Sequence, residues 1–296
     1  MVRNAVLVVA LLAASSVAHA QPAEAPALDV DPAIDLAVAA GAVAAIALPR
    51  LIPVGPDHWD LELWGPLDRR VRDNFSTDAA QLADATVLAT VAVPVLFEVA
   101  EVIDDDTRRA GIAYAEALGV SLGLNAIAKY AVQRPRPYTY HRAPGVRSYT
   151  LAEGDDAYLS FYSGHASTAF AAAVAGSYLY GLRPGRGEAA RSAMWFAEIA
   201  LATATSNLRV RAGKHYYSDI AIGAVVGAAV GAGAPLLHAT DPRAPSPWEW
   251  AAMGGGVVVG AAVSSLWPFG PDRALRATIA PVAIDDGGGV AIVGGF

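Results

Sequence analysis

At 296 residues the chain is long enough to bury a sizeable core as a single domain, and its hydrophobic fraction of 54%, charged fraction of 17% and mean hydropathy of +0.37 are high for a soluble protein. A net charge of −7 argues against nucleic acid as a partner. The chain has no cysteine, so its stability rests on packing and not on disulfides.

The N-terminus reads as an export signal over residues 1–20: Arg3 supplies the positive start, Ala5 to Ala14 the apolar stretch, and Ala18-His19-Ala20 a small-residue cleavage site before Gln21. A proline-rich leader follows over 21–32. A first apolar helix runs from Ile34 to Leu48 and stops at Pro49. Residues 50–79 are rich in proline and glycine and read as irregular, with at most a short helix. A second helix spans about Asp78 to Val102, interrupted by Pro94. Asp104-Asp105-Asp106-Thr107 caps a third, which runs to Gln133 and ends before Pro135 and Pro137. Residues 138–162 read as a long loop, a length that usually carries function. A fourth helix opens at Ser163-Gly164-His165 and runs to Leu182. A fifth covers Glu188 to Ser206, a sixth starts near Lys214 and ends at His238, and a seventh covers Trp248 to Leu266. Two short apolar runs around Asp285 to Gly289 read as a β-hairpin. The expected fold is all-α: a bundle of about six core helices over residues 21–270, with a short C-terminal β-hairpin over 271–296.

Three distant segments carry the chemistry. They are Lys129 to Pro137, Tyr162 to His165, and Arg209 to Asp219. In an up-down bundle they fall at helix ends on one side, so they can converge on one pocket. Lys129, Arg136 and Arg209 supply well-spaced cations, and arginine donates two parallel hydrogen bonds to an oxyanion. Lys129 and Lys214 are the only lysines in the chain, which makes a lysine at this position less of an accident. Ser163-Gly164 opens a helix, where free N–H groups and the dipole attract anions. His215 and Asp219 lie at i and i+4, a spacing that puts them on one helical face. Asp219 can accept from one ring nitrogen and leave the other free to attack phosphorus. Taken singly, the histidine–aspartate pair is a salt-linked helix pair, and Arg134 and Arg211 read as helix caps or surface charges. His58, His141 and His238 match no motif and read as solvent-facing or structural. A zinc site at the two histidines is disfavoured by the surrounding cations.

The ordered set resembles the superfamily of type 2 phosphatidic acid phosphatases, bacterial nonspecific acid phosphatases and vanadium haloperoxidases. That pattern is Lys, six residues, Arg-Pro; Pro-Ser-Gly-His; and Ser-Arg, five residues, His, three residues, Asp. Lys129, Arg136, Ser163, Gly164, His165, Arg209, His215 and Asp219 match it within a core of about 105–240. Tyr162 stands for the proline and Leu208 for the serine. The resemblance implies a metal-independent phosphatase acting on phosphate mono- or pyrophosphate esters, of small molecules or lipids, through a phosphohistidine. In it His215 is the nucleophile, His165 the proton donor and later the activator of water, and no cofactor is needed. Vanadate would be a cofactor only in the alternative reading, a haloperoxidase, for which the chain lacks room for a large extra domain. A scaffold that keeps the fold without activity is a further alternative, against which the intact motif residues argue.

Residues 220–237 are uncharged and 250–268 nearly fill a bilayer span, but both are rich in alanine and glycine. The expectation is an exported protein, either an inner-membrane bundle with a periplasm-facing site or a soluble periplasmic one. Were the first three helices all to span after signal cleavage, the site would face the cytoplasm.

Overall fold

The computed structural model describes residues 27–57, 59–60, 65–100 and 103–268 with their side chains. The expected signal peptide (1–20), the expected C-terminal β-hairpin (271–296) and His58 lie outside these described residues.

The described chain is mostly helical. Its helices are α1 (Pro32–Ala47), α2 (Pro66–Arg69), α3 (Thr77–Val99), α4 (Asp105–Val132), α5 (Pro144–Glu153), α6 (Gly164–Leu182), α7 (Glu188–Arg211), α8 (Tyr217–His238) and α9 (Pro247–Leu266). Their starts follow side-chain chemistry. Asp31, Ser76, Asp104, Ser163 and Ser246 each cap free N–H groups, with full capping boxes at Asp104–Thr107 and Ser246–Glu249. Gln133, in the left-handed conformation at φ 48°, ends α4.

Three expectations are corrected. Residues 138–162 are not a loop: a 3₁₀ turn over Pro137–Tyr140, α5 and a second 3₁₀ turn over Gly154–Tyr158 fill most of that stretch, with Pro144 in the first turn of α5. Pro94 does not interrupt its helix. α3 continues through it, and the ring packs where Gly176 of α6 has no side chain; a Cβ there would lie 2.3 Å from Pro94 Cγ. The fifth helix runs on to Arg211, and the sixth begins only at Tyr217. The turn between them passes through Gly213 at φ 70°, where a Cβ would sit 1.9 Å from the Asn74 carbonyl oxygen.

α6 is the central helix and packs against α3, α4, α7 and α8, while α9 covers α7 and α1 lies on α4. The core is built of small residues, Ala169, Ala172, Ala173 and Ala175 of α6 among them. Glycines let the backbones approach. Cβ atoms at Gly223, Gly227 and Gly231 of α8 would lie 2.7, 2.1 and 2.5 Å from carbonyl oxygens of α6, and Gly256 and Gly260 serve α9 against α7 in the same way.

Many large apolar side chains are exposed on the long helices. α1, α3, α4 (through Tyr140), α8 and α9 are long and apolar enough to cross a membrane. Leu36, Leu88, Leu96, Val225, Val258 and Leu266 are exposed on them, and no residue of α1 is buried. An apolar belt spread over five helices fits membrane association.

The close α6–α8 approach gives a direct test. Gly227→Leu should separate the two helices, cost about 1–3 kcal/mol or more, and lower the thermal midpoint in detergent by several degrees. An unchanged midpoint would contradict the packing.

Candidate active site

The three segments meet at one end of the bundle. Lys129 lies in the last turn of α4, Arg136 just beyond it, Ser163 caps α6, Arg209 is in the last turn of α7, and His215 precedes α8. His215 therefore does not share a helical face with Asp219, as the i, i+4 spacing had implied. Asp219 sits at the third position of α8 and turns its carboxylate back to the Tyr216 N–H, at 3.0 Å.

His215 is almost fully buried, at 1% exposure. Its Nε2 lies 3.4 Å from Arg136 Nη1, and its Nδ1 lies 3.5 Å from Ser160 Oγ and 3.6 Å from Asp219 Oδ2. A guanidinium only donates, so Nε2 carries the lone pair and the proton sits on Nδ1, facing the carboxylate. Burial, then the charges of Arg136, Arg209 and Lys129, push its pKa well below the usual value, so the ring is neutral.

Arg136 is fixed by a fork to Asp156, with Nη2 2.8 and 2.7 Å from its two carboxylate oxygens, and by Nε donating to the Asp156 carbonyl at 2.6 Å. Although burial opposes it, the Arg136 charge holds the Asp156 pKa well below the usual carboxylate range. Arg209 is buried, contacts Asp84 at 3.4 Å, and leaves its Nε without a partner among the described residues. Lys129 makes no hydrogen bond or ion pair with a described residue, but its charge reaches His215.

At the start of α6, Ser163 Oγ accepts from the Ala166 N–H at 3.3 Å, and the Ser163 N–H donates to the Asp219 carbonyl at 3.1 Å. Gly164 packs on Asn125, whose Oδ1 would lie 2.7 Å from a Cβ. His165 Nε2 is 2.7 Å from Asp84 Oδ1. Burial and the Arg209 charge lower the His165 pKa to about 4, against the opposing pull of Asp84. A polar cavity of about 330 Å³ opens here, lined by Asp84, His165, Arg209, Lys214, Glu153 and Tyr149 among others. A larger cavity, of about 720 Å³ and mostly apolar, lies between α7, α8 and α9 and contains none of the motif residues.

Several residues of this site escaped the sequence reading. Arg134 is neither a cap nor a surface charge. It is buried, with Nη1 2.6 Å from Asp219 Oδ1 and 2.8 Å from Ser218 Oγ, Nη2 2.9 Å from Asp68 Oδ2, and its guanidinium 4.0 Å from the centre of the Tyr216 ring. Ser160 donates to Asp219 Oδ2 at 2.6 Å. Lys214 pairs with Glu153 at 2.7 Å and lies over the Tyr138 and Tyr149 rings. Asp84, on α3, holds both His165 and Arg209. The two departures from the motif have visible surroundings. Leu208 packs with Ala79, Ala83 and Ala212. The Tyr162 carbonyl accepts from Asn125 Nδ2 at 2.7 Å. Arg211 does cap a helix: its guanidinium donates to the Ser264 and Trp267 carbonyls at the end of α9.

Residues 110–243 match the family model for the PAP2 superfamily. No curated protein matches the chain.

The Arg134 pairs are buried on both sides, so breaking them on one side is costly. Arg134→Ala should destabilise the fold by about 3–5 kcal/mol, because it strands two carboxylates. Arg134→Met combined with Asp68→Leu should recover part of that loss, as read by denaturant midpoint. Equal destabilisation by the single and the double variant would contradict the pairing.

Proposed function

We propose that this chain, whose residues 110–243 match the family model for the PAP2 superfamily, is a hydrolase of phosphatase type that cleaves phosphate mono- or pyrophosphate esters through a phosphohistidine on His215. A neutral, buried imidazole whose lone pair faces Arg136, and on which the charges of several cations act, supports this reading. Those cations are Arg136, Arg209 with an unpartnered Nε, and Lys129 with no counter-ion of its own among the described residues. Such a cluster neutralises a phosphoryl dianion and favours the charge that builds on its oxygens in the transition state.

His215 Nε2 bonds to phosphorus as the bond to the leaving oxygen breaks, and protonated His165 gives that oxygen its proton. Asp219, facing Nδ1, stabilises the positive charge that the ring gains. Water then attacks phosphorus and gives its proton to His165, the P–N bond breaks, and inorganic phosphate leaves with both histidines restored. The cations do the electrostatic work here, so the proposed reaction takes no cofactor. The substrate is a phosphorylated small molecule or lipid.

Membrane association follows from the apolar helices, and we read the bundle as membrane-embedded. α1 starts beside Ala239, at the end of α8 away from the site, and ends near the site, where Gln133 Nε2 donates to the Pro53 carbonyl. A periplasmic N-terminus and a periplasm-facing site are therefore compatible only if α1 lies outside the bilayer.

Turnover of aryl phosphates by purified protein tests the proposal, with halide oxidation in added vanadate as the competing activity. His165→Ala should slow esters with poor leaving groups far more than activated aryl esters. Equal losses across the series would remove His165 as the acid. In the wild type, kcat/KM should fall as pH rises above about 4, where the free site loses the His165 proton. The fall in kcat should come at higher pH, because bound phosphate offsets the Arg209 and Arg136 charges that lower this pKa. Coincident limbs would contradict that account, and halide oxidation without ester cleavage would overturn the phosphatase reading.

A further inference from the structure

At the far end of α8, roughly 30 Å along the helix from the site, a second polar cluster joins three helices. Asp35 from the first turn of α1, Glu116 of α4 and His238, the last residue of α8, bring one ligand atom each to within 4.8 Å of one another. His238 Nδ1 is 2.8 Å from the Asp29 carbonyl oxygen, and the Asp29 N–H donates to the His238 carbonyl at 2.7 Å, so the ring is held from both sides. A carbonyl oxygen can only accept, which places a proton on Nδ1 and aims Nε2 at the carboxylates.

Nε2 faces Glu116 Oε2 at 2.7 Å. In the neutral ring both of these atoms are acceptors, so the pair needs either a proton or a metal ion. Two further carboxylate oxygens of the trio, Glu116 Oε1 and Asp35 Oδ1, are buried with no hydrogen-bond partner among the described residues, and the Glu116 side chain is only 10% exposed. Protonating His238 satisfies the Nε2–Oε2 pair but leaves the trio one negative charge in excess, with both orphan oxygens unmet. Arg109 of α4 donates through Nη1 to the Leu28 carbonyl at 3.2 Å and lies 3.9 Å from Asp29.

We propose that Asp35, Glu116 and His238 bind one divalent transition-metal ion that fastens α1 to α4 and α8. The donor set is one imidazole nitrogen and two carboxylates, with the other ring nitrogen on a backbone carbonyl. That is the usual arrangement around Zn²⁺ or Mn²⁺, and it makes the trio neutral. Donor atoms at about 2.1 Å in tetrahedral array lie roughly 3.4 Å apart, so the 2.7 Å pair is the proton-bridged form and opens slightly as metal displaces the proton. This site is independent of the phosphatase reading and far from its histidines.

The test uses the purified full chain, stripped with chelator and titrated with Zn²⁺ and with Mn²⁺ by calorimetry in two buffers of different ionisation enthalpy. One equivalent should bind, release about one proton, and raise the thermal midpoint by several degrees. Glu116→Gln and Asp35→Asn, each checked for helix content by circular dichroism, should lose that equivalent and the shift, while His215→Ala keeps both. No stoichiometric binding of either metal, or binding that survives both carboxylate variants, overturns the proposal.

Discussion

A fully buried carboxylate organises the end of this protein where the three motif segments meet. Asp219 has no exposed surface, and an uncompensated charge in such a place costs several kcal/mol. Its oxygens are met by Arg134 from beyond α4, by the Ser160 hydroxyl before α6 and by the Tyr216 N–H at the start of α8, with His215 beside them. Each partner comes from a different stretch of chain. Satisfying one anion thus pins the ends of several helices and sets the tautomer of His215. Asp68 extends the arrangement to α2, where it binds both Arg134 and the Ser218 N–H.

The cations are sustained by a second set of carboxylates. Asp156 grips Arg136, Glu153 holds Lys214, and Asp84 spans Arg209 and His165. Without them so many buried positive groups would repel one another and lose their protons or their positions. The arrangement also depends on helix spacing. The Ser163 N–H reaches the Asp219 carbonyl because the glycines of α8 let its backbone press against α6. Small residues in the core and polar groups at its end are therefore one design: the first sets the distance that the second requires.

Much of this was legible in the sequence. The motif residues are separated by many positions yet stand at helix ends, and helix ends follow from capping residues and prolines that can be read directly. The mostly helical bundle and the placement of Lys129, Arg136, His165, Arg209 and His215 at one end of it follow from that alone. Other features were not legible, for identifiable reasons. Arg134 and Arg136 share the same local sequence, and only the approach of Asp68, outside the matched segment, distinguishes a structural guanidinium from one facing the site. Ser160, Asp84 and Asp156 belong to no motif and gain meaning from contacts across the fold. The i, i+4 spacing of His215 and Asp219 imitated a helical face, but the Gly213 turn keeps His215 outside α8. Tyrosines and charges made 138–162 look like a loop, although its short helices present Tyr149, Glu153 and Asp156 to the site.

The proposed chemistry passes through a covalent bond between phosphorus and His215. Acid-labile, base-stable labelling of rapidly quenched protein with a ³²P-phosphorylated substrate measures it directly, with peptide mapping to locate the label. Label is expected on His215 during turnover and none in folded His215→Ala, which should also lack turnover. Ester hydrolysis that persists in His215→Ala, or label that maps to another residue, would contradict it.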